Sequence, residues 1–286
     1  MLYRPGLGAG FTLIELSIVL VIVGLVVGGV LVGQDLIRAA HVRAAITQIE
    51  KYNQAANTFY GKYGFLPGDI AGPAAGQFGF AARGNLPGEG DGNGIIEGVV
   101  SGANQGYGEG YGETVMFWAD LSKVGMIEGS FVAASASAPP GTVTTSSTPS
   151  LDAFFPQSRL GGGNYVYVWS GGLSGGDGRN YFGIAAITTI NTNWEVEGSH
   201  NGTRPESIPV AVAYAIDSKV DDGSPYTGIV TTMELDGGPV YATDTGGVGG
   251  QATCSDNPNG IPGFQQYALD INHGAGANCA LSFRFQ

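Results

Sequence analysis

Apolar residues follow three regimes along this chain. From Leu16 to Gly33, eighteen consecutive residues carry no charge and are mostly Leu, Ile and Val, the length at which a helix begins to span a bilayer. From Leu36 to Tyr60 they thin to Leu36, Ala39, Ala40, Val42, Ile46, Ile49, Ala56, Phe59 and Tyr60, mostly three and four residues apart, as on a helix with one buried face. Arg38, Arg43, Gln48, Glu50, Lys51 and Asn57 supply the opposite face. No proline interrupts Phe11 to Phe65, so the pattern predicts one helix of about 50 residues, about 75–80 Å long. Gly64 and Pro67 stop it.

Beyond that stop the signals are shorter. Residues 68–112 are dense in glycine and show little regular pattern. A helix is predicted over 113–128, with Val115, Phe117, Trp118, Leu121 and Val124 on its apolar face. Residues 133–150 have the Ala/Ser/Thr/Pro bias of an extended loop. Residues 164–169 and 181–187 are rich in β-formers and predict a hairpin with a wide loop over Gly171 to Gly178. Val210 to Lys219 predicts a helix, and 229–235 and 280–285 predict two more strands. This order gives an α+β fold: a long N-terminal helix against an antiparallel sheet, with long glycine-rich loops.

Composition narrows the function. Glycine supplies 50 of 286 residues, against a usual share of roughly 7%, but with no G-X-Y period, which excludes collagen. Charged residues are 13%, hydrophobic residues 43%, and mean hydropathy is +0.09, so the chain is not a highly charged disordered one. Net charge is −12, and residues 63–286 hold 21 of the 24 acidic side chains. That leaves no basic surface to grip a phosphate backbone, and nucleic acid is excluded as the main ligand. Cys254 and Cys279 read as one disulfide in an exported protein and as two thiols in the cytosol.

The N-terminus bears on the compartment. A single cation, Arg4, precedes the apolar run, which predicts that Met1 faces the cytoplasm and the body is exported. The run is followed by Gly33-Gln34-Asp35-Leu36, a poor match to a secretory cleavage site. Glu15 is anomalous, a carboxylate one turn into an apolar helix, where it needs either a partner or an interfacial position. The segment Gly10-Phe11-Thr12-Leu13-Ile14-Glu15-Leu16 resembles the cleavage and methylation motif of type IV pilins and type II secretion pseudopilins. Residues 59–69, through Pro67-Gly68-Asp69, are similar to the junction after the helix in many pseudopilin-like proteins.

The resemblance implies a leader of residues 1–10, removed by a prepilin peptidase between Gly10 and Phe11, and N-methylation of Phe11. It implies an anchor of residues 11–33, its amphipathic continuation over 34–62, and a pilin-like exported head of residues 63–286. Glu15 would pair with the N-terminal amine of a neighbouring subunit during assembly. The implied location is the bacterial inner membrane, then a periplasmic pseudopilus or a cell-surface pilus. The implied partners are further copies and other pilins or pseudopilins, joined through the helix. The expected function is that of a structural subunit; the alternative is a low-copy minor pilin or adhesin whose acidic head binds a surface or a secreted protein. Many type IV pilins carry a proline in this anchor and this chain has none. Gly24/Gly28 and Gly29/Gly33 instead give two small-xxx-small spacings, and any melting of the assembled helix is expected at Gly28 to Gly33.

Candidate chemistry in the head is acidic. Asp91, Asn93 and Glu97, on a glycine-turned loop, are the oxygen donors a hard Ca²⁺ ion takes, and a plain Asp-Gly/Asn-Gly turn explains them equally well. Glu97 is only the seventh residue of that stretch, so Glu89 or a distant carboxylate would have to complete a shell. Asp217, Asp221 and Asp222 form a second candidate set, which also reads as a solvated helix end. His41, His200 and His273 accompany no nucleophile elbow, zinc spacing or phosphate loop, and are expected at the surface. The expectation is a protein without enzymatic activity that requires no cofactor, with Ca²⁺ as the one candidate ligand.

Overall fold

The structure, a computed structural model, describes residues 11–83, 88–98, 110, 112–131, 143–144, 147, 150–171, 177–190, 196–197, 208–232, 254–256 and 266–285. The chain divides into two units, residues 1–41 and 42–286, and the first helix contributes to both.

That helix, α1, spans Leu13–Tyr63, 51 residues, as the pattern predicts. In the first unit its apolar stretch is long and apolar enough to cross a membrane, and no part of that stretch is buried by the described residues. Helical geometry continues through Gly24, Gly28, Gly29 and Gly33, and no atom lies within 4 Å of where their Cβ atoms would stand.

In the second unit α1 turns amphipathic at Val42, and Val42, Ala45, Gln48, Ile49, Ala55, Ala56 and Phe59 are buried. Leu36, Ala40 and Tyr60, expected on the buried face, are exposed. Three further helices follow: α2 (Gly72–Gln77), α3 (Glu113–Lys123) and α4 (Val210–Val220). Helix α3 ends five residues before the predicted 128. Gly125 takes a left-handed φ of 68°, its N–H donates to Ser122 O, and Met126 N–H donates to Leu121 O, a Schellman closure.

The strands are β1 (Val143–Thr144), β2 (Asn164–Ser170), β3 (Asn180–Ala186), β4 (Thr189–Ile190), β5 (Val196–Glu197), β6 (Ile208–Pro209), β7 (Val230–Thr231), β8 (Ser255–Asp256), β9 (Gln266–Tyr267), β10 (Ala277–Cys279) and β11 (Leu281–Arg284). The main sheet is antiparallel throughout, in the order β2-β3-β11-β7. Its centre is the predicted hairpin, paired from Asn164↔Ala186 to Ser170↔Asn180. The predicted 229–235 strand is found as β7, and residues 233–235 lie outside the described residues. Smaller pairings are β1-β4-β5, β6/β10 and β8/β9.

Every position of β2 and β3 is buried, so both faces of the hairpin are covered, and its sequence runs apolar where a half-exposed strand would alternate. Phe182 of β3 gathers Tyr52 of α1, Phe117 and Trp118 of α3, and Phe285, with ring centroids 6.3, 5.8, 6.2 and 4.2 Å away. Lower on α1, Phe59 meets Phe80 at 5.4 Å. Gln48 adds polar specificity inside this contact. Its Nε2 donates to Gln157 O at 2.9 Å, and its Oε1 accepts from Arg159 N–H at 2.8 Å. Cys254 and Cys279 form a disulfide, both buried, which ties β10 and its partner β6 to the segment that begins β8.

Gly183 of β3 stands opposite Tyr167, and a Cβ there would lie 2.1 Å from the tyrosine ring. Gly183→Ala is therefore expected to destabilise the head by about 1–3 kcal/mol, because the buried ring has to move. Gly61→Ala, in open helical surroundings, is expected to stabilise it by up to about 1 kcal/mol. Thermal unfolding of the two variants checks both signs.

Candidate functional site

The start of α1 is closed by its own side chains. Glu15 Oε2 accepts from Thr12 N–H and from Thr12 Oγ1, both at 2.8 Å, and Thr12 Oγ1 accepts from Glu15 N–H at 3.3 Å. This is a capping box, which satisfies two of the helix's free amides and places a carboxylate at the positive end of its dipole. Thr12 escaped the sequence reading, although Thr-x-x-Glu before an apolar run is its signature. Phe11 precedes the box in full exposure, and Gly10 lies outside the described residues.

The acidic loop lies in the second unit. Asp91 and Asn93 are joined there by two carboxylates that their spacing gave no reason to expect. Carboxylate oxygens of Asp69, Asp91 and Glu113 lie within 4.8 Å of one another. Asp69 comes from the Pro67-Gly68-Asp69 stop after α1, and Glu113 from the first turn of α3. Glu89, the nearer candidate, is not part of this group.

Backbone amides of the loop hold the carboxylates in place. Gly92 and Gly94 N–H donate to the two oxygens of Asp69, each at 2.7 Å, while Gly90 and Glu97 N–H donate to those of Glu113, each at 2.8 Å. Asn93 Nδ2 donates to both Asp91 Oδ2 and Glu97 Oε2, at 3.0 and 3.1 Å. Close packing at Gly112, where a Cβ would stand 2.4 Å from Gly88 O, presses the loop against the start of α3.

Burial dominates the electrostatics. It pushes the Asp69 carboxyl up to about 7, with the Gly94 and Gly92 amides opposing. It raises Glu113 well above the usual range, assisted by the charge of Asp69, and raises Glu97 as well. A neighbouring ion pair stands beside the loop: Arg83 donates to both oxygens of buried Asp120 at 2.6 and 2.5 Å, Gly68 N–H donates to Asp120 Oδ2, and Arg83 Nε is buried without an acceptor.

The second acidic set is a different kind of structure. Asp217 accepts from Tyr267 Oη at 2.8 Å and from Gly223 N–H at 3.1 Å. Asp221 accepts from Ile229 and Val230 N–H, and Asp222 from Ser224 N–H and Thr227 Oγ1. These three also bring carboxylate oxygens within 4.8 Å of one another, but they are bonded to the turn that follows α4, to β7 and to Tyr267 of β9. His41 and His273 are exposed, as expected, and His200 lies outside the described residues. A groove of about 980 Å³ beside the second half of α1, lined by Arg43, Lys51, Glu128 and Arg159 among others, brings no histidine or buried carboxyl to its wall.

Comparison with family models, with curated proteins and with solved structures finds no match to this chain. What the described residues define is an α+β protein with one apolar helix of membrane length, a small antiparallel sheet and one disulfide.

Burial pushes the Asp217 carboxyl up to about 6, against roughly 3.9 for a free aspartate, with the Tyr267 hydroxyl opposing. The native chain keeps this proton where the unfolded chain releases it. Its stabilising contribution is full below about pH 4 and is lost as pH rises through about 6. Asp217→Asn is expected to shrink the drop in unfolding midpoint between acidic and neutral pH, and an unchanged drop would mean that Asp217 titrates as an ordinary carboxyl.

Proposed function

We propose that this chain is a structural subunit of the type IV pilin and type II secretion pseudopilin class. On this reading a prepilin peptidase cuts between Gly10 and Phe11, residues 11–33 hold the product in the inner membrane, and the helix then packs into a filament with the acidic head exported. The observation that carries it is the bare apolar helix beginning at the cleavage-like motif. Large side chains from Leu13 to Ile37 are more than half exposed, and none of the described residues covers them. Such a surface needs lipid around it before assembly and neighbouring helices after it, and the small residues Gly24, Gly28, Gly29 and Gly33 allow close helix approach.

Glu15 supports the same reading through its chemistry. Among the described residues its carboxylate is anchored only by Thr12, which leaves it room for a second, cationic donor such as the α-amine of a processed neighbour. A carboxylate among apolar helices is costly unless so paired, which makes the pair a check on correct stagger as well as a bond.

In cells with the assembly machinery, Glu15→Ala is expected to insert into the membrane and be processed normally but to be absent from sheared filaments. Gly10→Val is expected to retain residues 1–10, read by intact mass. Normal filament incorporation of the Glu15 variant would overturn the assignment.

A further inference from the structure

The loop of residues 88–98 poses a charge problem. Asp69, Glu97 and Glu113 are at most 1% exposed and Asp91 is half-buried, so four carboxylates share one interior region. Among the described residues no lysine, arginine or histidine forms an ion pair with any of them; the nearby Arg83 is taken by Asp120. Buried carboxylates without counter-charge are strongly unfavourable, so the region needs either bound protons or a bound cation.

Glu97 points to the cation. Its Oε2 shares the Asn93 amide with Asp91 and its own N–H donates to Glu113, so Glu97 borders the group of Asp69, Asp91 and Glu113, although its oxygens do not come within 4.8 Å of all three. Its Oε1 is fully buried and meets no donor in hydrogen-bonding geometry. A buried anionic oxygen without a partner, beside three more carboxylates, has the chemistry of a metal ligand awaiting its ion.

We propose that Asp69, Asp91 and Glu113, whose oxygens stand within 4.8 Å of one another, bind one Ca²⁺ ion, and that the unpaired Glu97 Oε1 beside them closes the site. The donor set is all oxygen, with neither sulfur nor imidazole, which selects hard cations over zinc, copper or iron. Between the hard cations, Mg²⁺ keeps several waters and demands octahedral geometry, whereas Ca²⁺ accepts six to eight oxygens from an irregular cage. Three of the carboxylates are sealed from solvent, which favours the ion that exchanges more of its waters for protein oxygen. Entry is through Asp91 and Asn93, the half-buried and exposed edge of the site. The ion joins three segments distant in sequence: the stop after α1, the loop itself and the first turn of α3. The site does not depend on the assembly role proposed above.

The test uses the full chain in detergent micelles, stripped with EGTA and titrated with CaCl₂ or MgCl₂ by calorimetry and thermal unfolding. One Ca²⁺ per chain and a midpoint that climbs with Ca²⁺ concentration are expected. Glu97→Gln and Asp91→Asn are expected to weaken Ca²⁺ binding roughly tenfold or more. In EGTA both variants are expected to melt no lower than the unmodified chain, since each removes one repelling charge; a residue with a merely structural role would lower it. Asp222→Asn, in the second acidic set, is expected to bind as the unmodified chain does. The proposal falls if the unmodified chain shows no Ca²⁺ binding, if Mg²⁺ binds as tightly, if Glu97→Gln and Asp91→Asn keep full affinity, or if Asp222→Asn alone loses it.

Discussion

Among the described residues nothing covers the first half of α1, and this exposed apolar surface is the largest single demand the sequence makes. Eighteen large apolar side chains between Phe11 and Ile37 are exposed in the single chain. Removing one such side chain from water is worth about 1.5–3 kcal/mol, so the group together outweighs the roughly 5–15 kcal/mol of net stability of an ordinary domain. No rearrangement of the head can absorb a term of that size. Lipid or a bundle of like helices is the kind of surroundings that offsets such a term, and beyond the apolar stretch the same helix becomes amphipathic. The change of pattern at Val42 meets this demand: from there on one face is aromatic and aliphatic, and it closes on Trp118 and Phe182.

The head resolves the opposite difficulty. It carries many carboxylates and few cations, yet several of its acids are buried, and the backbone holds them. Glycine makes this feasible, because left-handed turns at Gly90, Gly92 and Gly94 bring successive amides onto Asp69 and Glu113. Among the described residues glycine thus serves loops whose turns need a left-handed backbone. The turn after α4 uses the same device, with side-chain hydroxyls of Tyr267 and Thr227 joining the amides.

Long periodic elements were legible in the sequence, and so was one half of the acidic site. Residues 13–63, 164–170, 180–186 and 210–220 announce themselves through unbroken period or apolar runs. The two-residue strands β1, β4, β6, β8 and β9 are too short to show a period, and α2 begins with Gly-Pro, which reads as a turn. Helix α3 was overextended because Val124 prolongs the apolar face while Gly125 dictates the chain reversal. In the acidic site, Asp91, Asn93 and Glu97 are neighbours in sequence and visible together. Asp69 and Glu113 are brought to them only by the stop after α1 and the start of α3, a tertiary fact that no local spacing encodes.

Gln48 sets how the head bears load. Its amide reads one backbone carbonyl and one backbone N–H two residues apart, Gln157 O and Arg159 N–H, from within an apolar contact. Aromatic rings tolerate sliding, since one packed surface can replace another at little cost. A bidentate amide does not: shifting the helix axially by one turn would break both bonds of the buried Gln48 side chain at once. Tension along α1 therefore meets a shear lock at this residue, and the head should yield by an abrupt step and not by gradual creep.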